Sequence, residues 1–171
     1  LMTVYKLFRD EFSSWLLEAV KPDYQKPMDA KTYSDIINLF DKLLRVLHPF
    51  MPFITEEIWH LLMKRYEGES IMISEMPVSK DFSSDLIDSF DKAKEVITQL
   101  RNIRKEKNIP YKTKIELFVS DKNGSYSDTY ETLITRLCAL KKVKQTDVQL
   151  KGAVHFVVKK TEFFVPLGNI I

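Results

Sequence analysis

Apolar residues recur at steps of three and four positions along the first hundred residues, a spacing that places them on one face of an α-helix. Capping and loop-forming residues interrupt this pattern, because aspartate or serine can cap a helix start and proline lacks the amide donor that a helix interior needs. The pattern therefore predicts four amphipathic helices. The residues that separate them are Pro22 after the first, Asp29 before the second, Pro49 and Pro52 between the second and third, Gly68 after the third, Ser83 or Ser84 before the fourth, and Pro110 after it.

Beyond Pro110 the apolar spacing changes to the alternation that is typical of β-strands. The predicted elements are a strand over residues 114–119, a turn over 121–124, a helix face over 130–138, and two neighbouring strands over 153–158 and 162–165. The chain is thus predicted to be mainly α. We expect an antiparallel four-helix bundle over residues 1–110, followed by a small α+β subdomain of order β-α-β-β over residues 111–171.

The composition is typical of a globular domain. Of the 171 residues, 44% are hydrophobic and 12% aromatic, which is enough for a core and excludes an intrinsically disordered chain. No apolar run approaches the roughly 18 residues of a membrane-spanning helix, and the single cysteine, Cys138, cannot form an intramolecular disulfide. We expect a cytoplasmic protein that does not contact a membrane. The first helical pattern begins at Leu1 without a capping residue, which favours a piece of a longer chain.

The net charge of +2 conceals an uneven distribution. Residues 1–91 contain 10 lysines and arginines against 16 acidic residues, a net charge of −6, whereas residues 92–171 contain 16 against 8, a net charge of +8. A basic half attracts polyanions such as nucleic acid, although a solvated charged face has the same composition.

No motif in the sequence indicates catalysis or metal binding. The three histidines are far apart and outside any Cys-x-x-Cys or His-Glu-x-x-His spacing, and the four glycines form no phosphate-binding loop. Cys138 lies on an apolar helix face, which is typical of a core thiol. Glu56 and Glu57 are adjacent in a helix and point in different directions, which suits an interaction with the helix dipole better than acid–base chemistry. We therefore predict no catalytic residue and no metal ligand in this chain.

Residues 92–114 form the most basic part of the chain, with eight lysines and arginines against two glutamates. Lys94, Arg101 and Lys105 are spaced by seven and four residues and therefore share one helix stripe, with Arg104 at its edge. Such a stripe can follow nucleic-acid phosphates, and a solvated helix face remains an equal interpretation.

Three segments resemble one family. Residues 47–59, Leu-His-Pro-Phe-Met-Pro-Phe-Ile-Thr-Glu-Glu-Ile-Trp, closely resemble a segment of the anticodon-binding domain of valyl-tRNA synthetases, the class I enzymes that attach valine to its tRNA. Residues 12–22 are similar to the family's Trp-Tyr-Leu-Glu and Lys-Pro elements, with Leu16 in place of the usual tyrosine. Residues 101–110 resemble the family's Arg-x-x-(Arg)-x-Glu helix end. The likeness covers nearly the whole chain and is strongest over residues 1–120.

The resemblance implies a role in tRNA recognition. It implies that the chain grips the anticodon region of tRNA(Val), while ATP binding with magnesium, valine activation and editing belong to other domains of the same polypeptide. The chain contains neither a His-x-Gly-His nor a Lys-Met-Ser-Lys-Ser signature, so it is expected to need no cofactor itself. The parent enzyme is expected to be a monomer. Two alternatives stay open: an isoleucine-tRNA ligase, whose related motif is Pro-x-x-Pro-x-x-x-Glu-Glu-x-Trp, or a helical protein-docking scaffold without RNA affinity.

The positions of these segments imply which residues contact tRNA. On the first helix, Leu7, Phe8 and Arg9 are implied to line the anticodon pocket, and the loop around Ile71 is implied to close it. An apolar side chain would stack on an unpaired base, and Arg9 would contact phosphate or a base edge. The candidates for contacts to the backbone of the anticodon stem are Arg101, Arg104 and Lys105. Either arginine could equally tie down the helix end through Glu106 or another acid.

Overall fold

The computed structural model describes residues 2–79, 81–121, 126–148, 150 and 152–168. The chain divides into two compact units, Leu1–Asp81 and Phe82–Ile171. The division lies between residues 81 and 82, whereas the change in apolar spacing predicts one near residue 110. Across the described ranges, no helix is both long and apolar enough to cross a bilayer.

Helices form the first unit. Its elements are α1 (Met2–Lys6), a π-helix (Leu7–Leu16), α2 (Leu17–Val20), α3 (Ala30–Leu47), α4 (Pro52–Leu62) and a 3₁₀ turn (Ile71–Ile73). Asp29 caps α3 by accepting a hydrogen bond from the Thr32 amide at 2.8 Å, which confirms its predicted role. α4 starts with Pro52, a residue suited to the first helical position because its missing amide would be unpaired there anyway. Thr55 and Glu56 therefore lie inside α4, which has no acidic residue in its first turn, so the helix-dipole interaction expected of Glu56 and Glu57 is not observed.

The π-helix over Leu7–Leu16 replaces the α-helix that the apolar spacing predicts. Its backbone bonds join residues five apart, as where the Leu17 amide donates to the Phe12 carbonyl. The side-chain hydroxyl of Ser14 also reaches back five residues, donating to the Arg9 carbonyl at 2.9 Å. Apolar spacing does not report which carbonyl an amide reaches, so it does not distinguish the two helix types. π-Helical segments are rare and are frequent at functional sites. This one contains three of the four residues implied to bind the anticodon.

The core of the first unit forms where α3, α4 and the 3₁₀ turn meet. Its buried side chains are those of Leu44, Trp59 and Ile71, and the partly buried side chains packed against them are those of Phe40, Ile58 and Leu62. The apolar positions of the second and third predicted helices therefore do face a common core, as their spacing predicts.

Asp41 on α3 is a buried carboxylate, with 6% of its surface exposed. Its Oδ1 accepts hydrogen bonds from the indole Nε1 of Trp59 at 2.7 Å and from Nη2 of Arg65 at 3.0 Å. Its Oδ2 accepts two bonds from the Arg45 guanidinium, one of them from Nε at 2.9 Å. The Arg65 guanidinium also lies over the Trp59 ring, 3.5 Å from its centroid. Asp41 therefore joins α3, α4 and the segment that follows α4.

The ionised form of Asp41 is favoured despite its burial. Burial raises the pKa of this carboxyl, but hydrogen bonds from Arg45, Trp59 and Arg65 outweigh that effect and hold the pKa below its ordinary value. Four charge-assisted bonds thus compensate for the loss of hydration.

The second unit combines one long helix with a four-stranded sheet. Its elements are α5 (Ser84–Glu106), β1 (Ile115–Ser120), a 3₁₀ turn (Asp128–Tyr130), α6 (Glu131–Leu137), β2 (Leu140–Gln145), β3 (Ala153–Val158) and β4 (Thr161–Pro166). The strand order is β2-β1-β4-β3. β1 and β2 are parallel and connected through α6, whereas β4 is antiparallel to both β1 and β3. Ser83 caps α5 by accepting a bond from the Leu86 amide at 3.3 Å, as predicted.

The predicted fold class is wrong. Of the residues that the structure describes, 52% are helical and 15% lie in strands, so the fold is mixed α/β, not a four-helix bundle followed by a small subdomain. The fourth predicted helix, α5, belongs to the sheet-containing unit, where it contacts β3 and α6. Its apolar side is buried there through Ala93, Val96, Ile97, Leu100 and Ile103. Strand β2 was not predicted, because lysines occupy three of its six positions and mask the alternation.

We expect the substitution Asp41→Asn to destabilise the first unit by about 3 kcal/mol, because it leaves the two arginines beside it without their buried counter-charge. Urea unfolding followed by tryptophan fluorescence measures this change. The control is Asp35→Asn, which removes an exposed pair with Lys31 and should leave the unfolding midpoint nearly unchanged. Equal midpoints for the two variants would contradict a central role for Asp41.

Candidate nucleic-acid interface

The start of the π-helix presents both apolar and cationic side chains to solvent. Leu7 is 43% exposed and Arg9 is exposed, while Phe8 is only partly buried. The Phe8 ring contacts Phe12 and Phe40 at centroid distances of 5.9 and 5.8 Å. Phe8 is thus anchored on one side by an aromatic cluster, and its remaining exposed surface lies beside two accessible side chains.

Arg9 is oriented by Tyr5, a residue outside the implied anticodon contacts. Its Nη1 donates to the hydroxyl of Tyr5 at 3.2 Å, and its guanidinium lies over the Tyr5 ring at 5.8 Å from the centroid. Tyr5 is 50% exposed, so the pair forms an accessible aromatic and cationic surface. The signal that could have identified it is the four-residue spacing of Tyr5 and Arg9, which places them on one helix face.

Ile71 is part of the core rather than of the surface. Only 3% of it is exposed, and it packs with Leu44 and Trp59. Its neighbours Met72 and Ile73 are 75% and 73% exposed. Within this loop, therefore, those two side chains are available to a ligand while Ile71 anchors the turn.

Glu56 fixes the position of this loop. Its Oε2 accepts a hydrogen bond from the Ser70 hydroxyl at 2.9 Å, and its Oε1 accepts one from the Ile71 amide at 3.2 Å. The Nε2 of His60 lies 3.0 Å from the same Oε1. Partial burial raises the pKa of Glu56, but these hydrogen bonds outweigh it and hold the pKa below its ordinary value of 4.5.

The two groups of implied anticodon contacts are linked through one ring. Phe40 contacts Phe8 directly and packs against the core that contains Ile71. Phe40 thus connects the π-helix with the core that anchors the loop at residues 71–73.

A broad depression lies beside the corner between α3 and α4. It encloses about 420 Å³ and is lined by His48, Pro52, Phe53, Glu56, Glu57, His60, Ser70 and Met72. Two glutamates make this surface unfavourable for phosphate. His48 is occupied internally, since its Nδ1 lies 2.7 Å from the Thr55 hydroxyl.

In the second unit, the three basic candidates have different environments. Arg101 and Lys105 are exposed on the last turns of α5, whereas Arg104 is buried, with 6% of its surface exposed. The Arg104 guanidinium donates to the carbonyls of Cys138, Pro110, Thr113 and Ala139 at 2.8 to 3.1 Å. Arg104 therefore ties the helix end to two loops, through carbonyls rather than through an acid.

The environment of Arg104 is consistent with a structural role. Burial lowers the pKa of this guanidinium, and its backbone acceptors replace the lost hydration. Lys94, which shares the helix stripe, is also engaged: its ammonium lies 2.8 Å from Asp91 and over the Phe90 ring. Of the stripe, Arg101 and Lys105 are the members whose side chains lie at the surface.

The described residues contain no cluster of three or more histidine, cysteine, aspartate or glutamate side chains arranged to hold a metal ion. Cys138 is buried and its thiol lies 3.9 Å from the Ile97 carbonyl, which is the environment of a core residue.

Comparison with known proteins places the chain in a family. The profile of the family described as the anticodon-binding domain of tRNA ligases matches residues 1–119. The chain belongs to this family. It is also similar along its whole length to valine–tRNA ligases, with 47% identity to that of Parabacteroides distasonis and 43% to that of Porphyromonas gingivalis. Identity to the valine–tRNA ligase of Listeria monocytogenes is 38% over 99% of the chain.

These relatives confirm the predicted resemblance to valyl-tRNA synthetases. The chain spans only 19 to 20% of the length of the relatives. The similarity extends through the sheet-containing unit, which the family profile covers only as far as residue 119.

The loop that Glu56 holds should become less stable in acid. A carboxyl with a lowered folded pKa stabilises the protein above its unfolded pKa, and this contribution is lost as the pH falls through the folded value. We expect Glu56→Gln to cost about 1 kcal/mol in the free energy of unfolding at pH 7, with the difference from the unsubstituted chain shrinking below pH 4.5. Urea unfolding between pH 7 and pH 3 tests this expectation. The matched control is Glu57→Gln, which changes an exposed neighbouring glutamate. An equal pH dependence of stability in the two variants would contradict the role of Glu56 in holding the loop.

Proposed function

We propose that the chain is the anticodon-binding module of a valine-tRNA ligase, and that it positions tRNA(Val) for aminoacylation by catalytic domains of the same polypeptide. The observation that supports this proposal is the match to valine–tRNA ligases along the complete chain, together with membership of the anticodon-binding family. In this proposal ATP, used with magnesium, and valine bind to those other domains. The parent ligase acts as a cytoplasmic monomer, and its editing domain is a further neighbour.

In the first unit, we propose that an anticodon base contacts the exposed surface of the π-helix. Leu7 and the accessible part of Phe8 supply an apolar surface on which an unpaired base can stack. Arg9, oriented by Tyr5, supplies a guanidinium for a base edge or a phosphate. Ile71 contributes indirectly, because its packing in the core anchors the loop whose Met72 and Ile73 side chains are exposed.

In the second unit, we propose that Arg101 and Lys105 contact the phosphate backbone of the anticodon stem. They are exposed and lie four residues apart, so both charges lie along one side of α5. Arg104 supports them by fixing the end of the helix, because its donors are engaged by backbone carbonyls.

Binding of the 171-residue chain to isolated anticodon stem-loops tests the assignment. We expect the stem-loop of valine tRNA to bind more tightly than the isoleucine stem-loop, and Arg9→Gln to weaken its binding about tenfold through loss of a charge-assisted hydrogen bond. Lys31→Gln, which removes one exposed charge from α3, is the control and should have little effect. Preference for the isoleucine anticodon would assign the module to an isoleucine ligase, and no binding at low salt would favour a docking scaffold.

The salt dependence of the same binding tests the phosphate contacts. Removing one cation that neutralises a phosphate should reduce the slope of log affinity against log salt by about 0.7 to 0.9. We therefore expect the double variant Arg101→Gln with Lys105→Gln to lower the slope by about 1 to 2. The matched control is Lys141→Gln with Lys142→Gln, two exposed lysines on β2. An unchanged slope in the first variant would remove Arg101 and Lys105 from the interface.

A further inference from the structure

The long helix of the second unit, α5, ends in a well-defined reversal of the chain. The Asn108 amide donates to the Lys105 carbonyl at 3.2 Å, and the Ile109 amide donates to the Arg104 carbonyl at 2.8 Å. Together with the left-handed φ of 50° at Asn108, these two bonds form a Schellman motif, in which asparagine can replace the usual glycine. Ile109 is buried, so side-chain packing holds the same reversal. The course of the chain after α5 is therefore fixed.

A β-turn follows directly, over residues 110–113. Its closing bond runs from the Thr113 amide to the Pro110 carbonyl at 3.0 Å. The Arg104 guanidinium donates to the carbonyls of the same two residues, to Pro110 at 3.0 Å and to Thr113 at 2.9 Å. Both ends of the turn are thus held by one buried side chain. Its two central residues, Tyr111 and Lys112, are exposed and are presented by an anchored backbone.

Tyr111 combines exposure with a fixed orientation. The residue is 63% exposed. Its hydroxyl donates to the Arg136 carbonyl at 3.1 Å, and the Arg104 guanidinium lies over its ring, 6.0 Å from the centroid. Among the phenylalanines and tyrosines that the structure describes beyond residue 92, Tyr111 alone is exposed. Because the ring is already oriented, a ligand that stacks on it loses little side-chain entropy.

The surroundings of Tyr111 are strongly basic. Over residues 101–114 there are six lysines and arginines against a single acidic residue. The lysines at positions 107, 112 and 114 are exposed and flank Tyr111 in the chain, and the buried Arg104 guanidinium adds a charge beside the ring. We call Tyr111 and these three lysines the Tyr111 surface. Its charge attracts a polyanion, and its oriented aromatic ring distinguishes it from a face that is merely charged.

We propose that the Tyr111 surface binds single-stranded RNA, with an unpaired base stacked on the Tyr111 ring and the adjoining phosphates on Lys112 and the lysines beside it. Proteins capture unpaired nucleotides by this combination of an aromatic ring and surrounding cations. An acidic protein segment would complement the charge but would leave the exposed ring unused. The site belongs to the second unit, uses no residue of the π-helix and requires no anticodon, so it goes beyond the proposed function.

Binding of a fluorescent oligouridylate of about ten nucleotides to the 171-residue chain tests this site. We expect Tyr111→Leu to weaken binding about tenfold through loss of stacking, and Tyr111→Phe, which keeps the ring, to change it less than about twofold. The control Tyr24→Leu removes a ring that is 90% exposed in the first unit and should also change affinity less than about twofold. If Tyr111 only covers Arg104, Tyr111→Leu will lower the urea midpoint and leave the affinity unchanged, which would overturn the proposal.

Photocrosslinking of the unsubstituted chain locates the contact without relying on a variant. An oligouridylate that carries 4-thiouridine is irradiated in complex with the chain, and the crosslinked peptide is identified by mass spectrometry after digestion with trypsin. Trypsin cleaves after Lys107 and after Lys112, so we expect the RNA on the peptide of residues 108–112, which contains Tyr111. Crosslinks confined to other peptides would overturn the site.

Salt dependence and competition separate this site from general charge attraction. Lys112→Gln with Lys114→Gln should reduce the slope of log affinity against log salt by about 1.4, at about 0.7 for each phosphate contact on a single strand. The matched control, Lys159→Gln with Lys160→Gln, changes two exposed lysines between β3 and β4 and should leave the slope nearly unchanged. Polyglutamate and a blunt RNA duplex should compete poorly, because neither offers an unpaired base. Equal competition by either, or an equal loss of slope in both variants, would overturn the proposal.

The unpaired nucleotide can belong to a tRNA or to another RNA, and binding of tRNA(Val) by the Tyr111→Leu variant distinguishes the two sources. Weakening in parallel with the oligouridylate supports tRNA as the source, and unchanged tRNA binding supports another single-stranded RNA. Either result, with oligouridylate binding weakened, supports the site. Because the oligouridylate carries no valine anticodon, its failure to bind would leave the proposed function intact, and the effect of Arg9→Gln on the anticodon stem-loop tests that function separately.

Discussion

The first unit depends on the need to neutralise one buried carboxylate. Asp41 is removed from water, so its charge is tolerable only if donors surround it, and those donors come from different segments. Trp59 comes from α4, Arg65 from the segment after α4, and Arg45 from α3 itself. Arg45 also donates to the Glu75 carbonyl at 3.0 Å. The chain on both sides of the 71–73 turn is thereby fixed relative to α3, and the exposed side chains of that turn acquire defined positions.

The second unit has the opposite arrangement around Arg104, where a buried cation is neutralised by the partial charges of backbone carbonyls. The acceptors lie in the loops after α5 and after α6, so the end of the long helix is fixed against the β1–α6–β2 crossover. The bond pattern uses the planar fork of arginine, which a lysine ammonium does not reproduce. One residue away, Lys105 is exposed. Adjacent basic residues on α5 thus differ in environment: Arg104 is buried and stabilises the fold, whereas Lys105 lies at the surface.

Local signals in the sequence predict several elements correctly. The caps at Asp29 and Ser83, the strand at β1 and the β3–β4 hairpin follow from side-chain chemistry and alternation that operate within a few residues. The assignment of α5 fails because an apolar stripe shows that a face is buried but not which surface covers it. The π-helix and β2 fail for local reasons: backbone bonding is invisible to apolar spacing, and three lysines conceal a parallel edge strand whose neighbour, β1, is buried.

The residues by which the family is recognised are engaged in hydrogen bonds within the fold. In the corner between α3 and α4, His48 is bonded to Thr55, Trp59 donates to Asp41, and Glu56 holds the 71–73 turn. These side chains are recognisable because the architecture requires their bonds, so the resemblance identifies the fold family and its role. Under the proposed function, selectivity among tRNAs comes instead from side chains that the architecture leaves exposed. Exposed side chains leave no pattern of burial or capping in the sequence. For that reason the sequence does not reveal that Ile71 and Arg104 are buried while the other candidates are accessible, and the structure does.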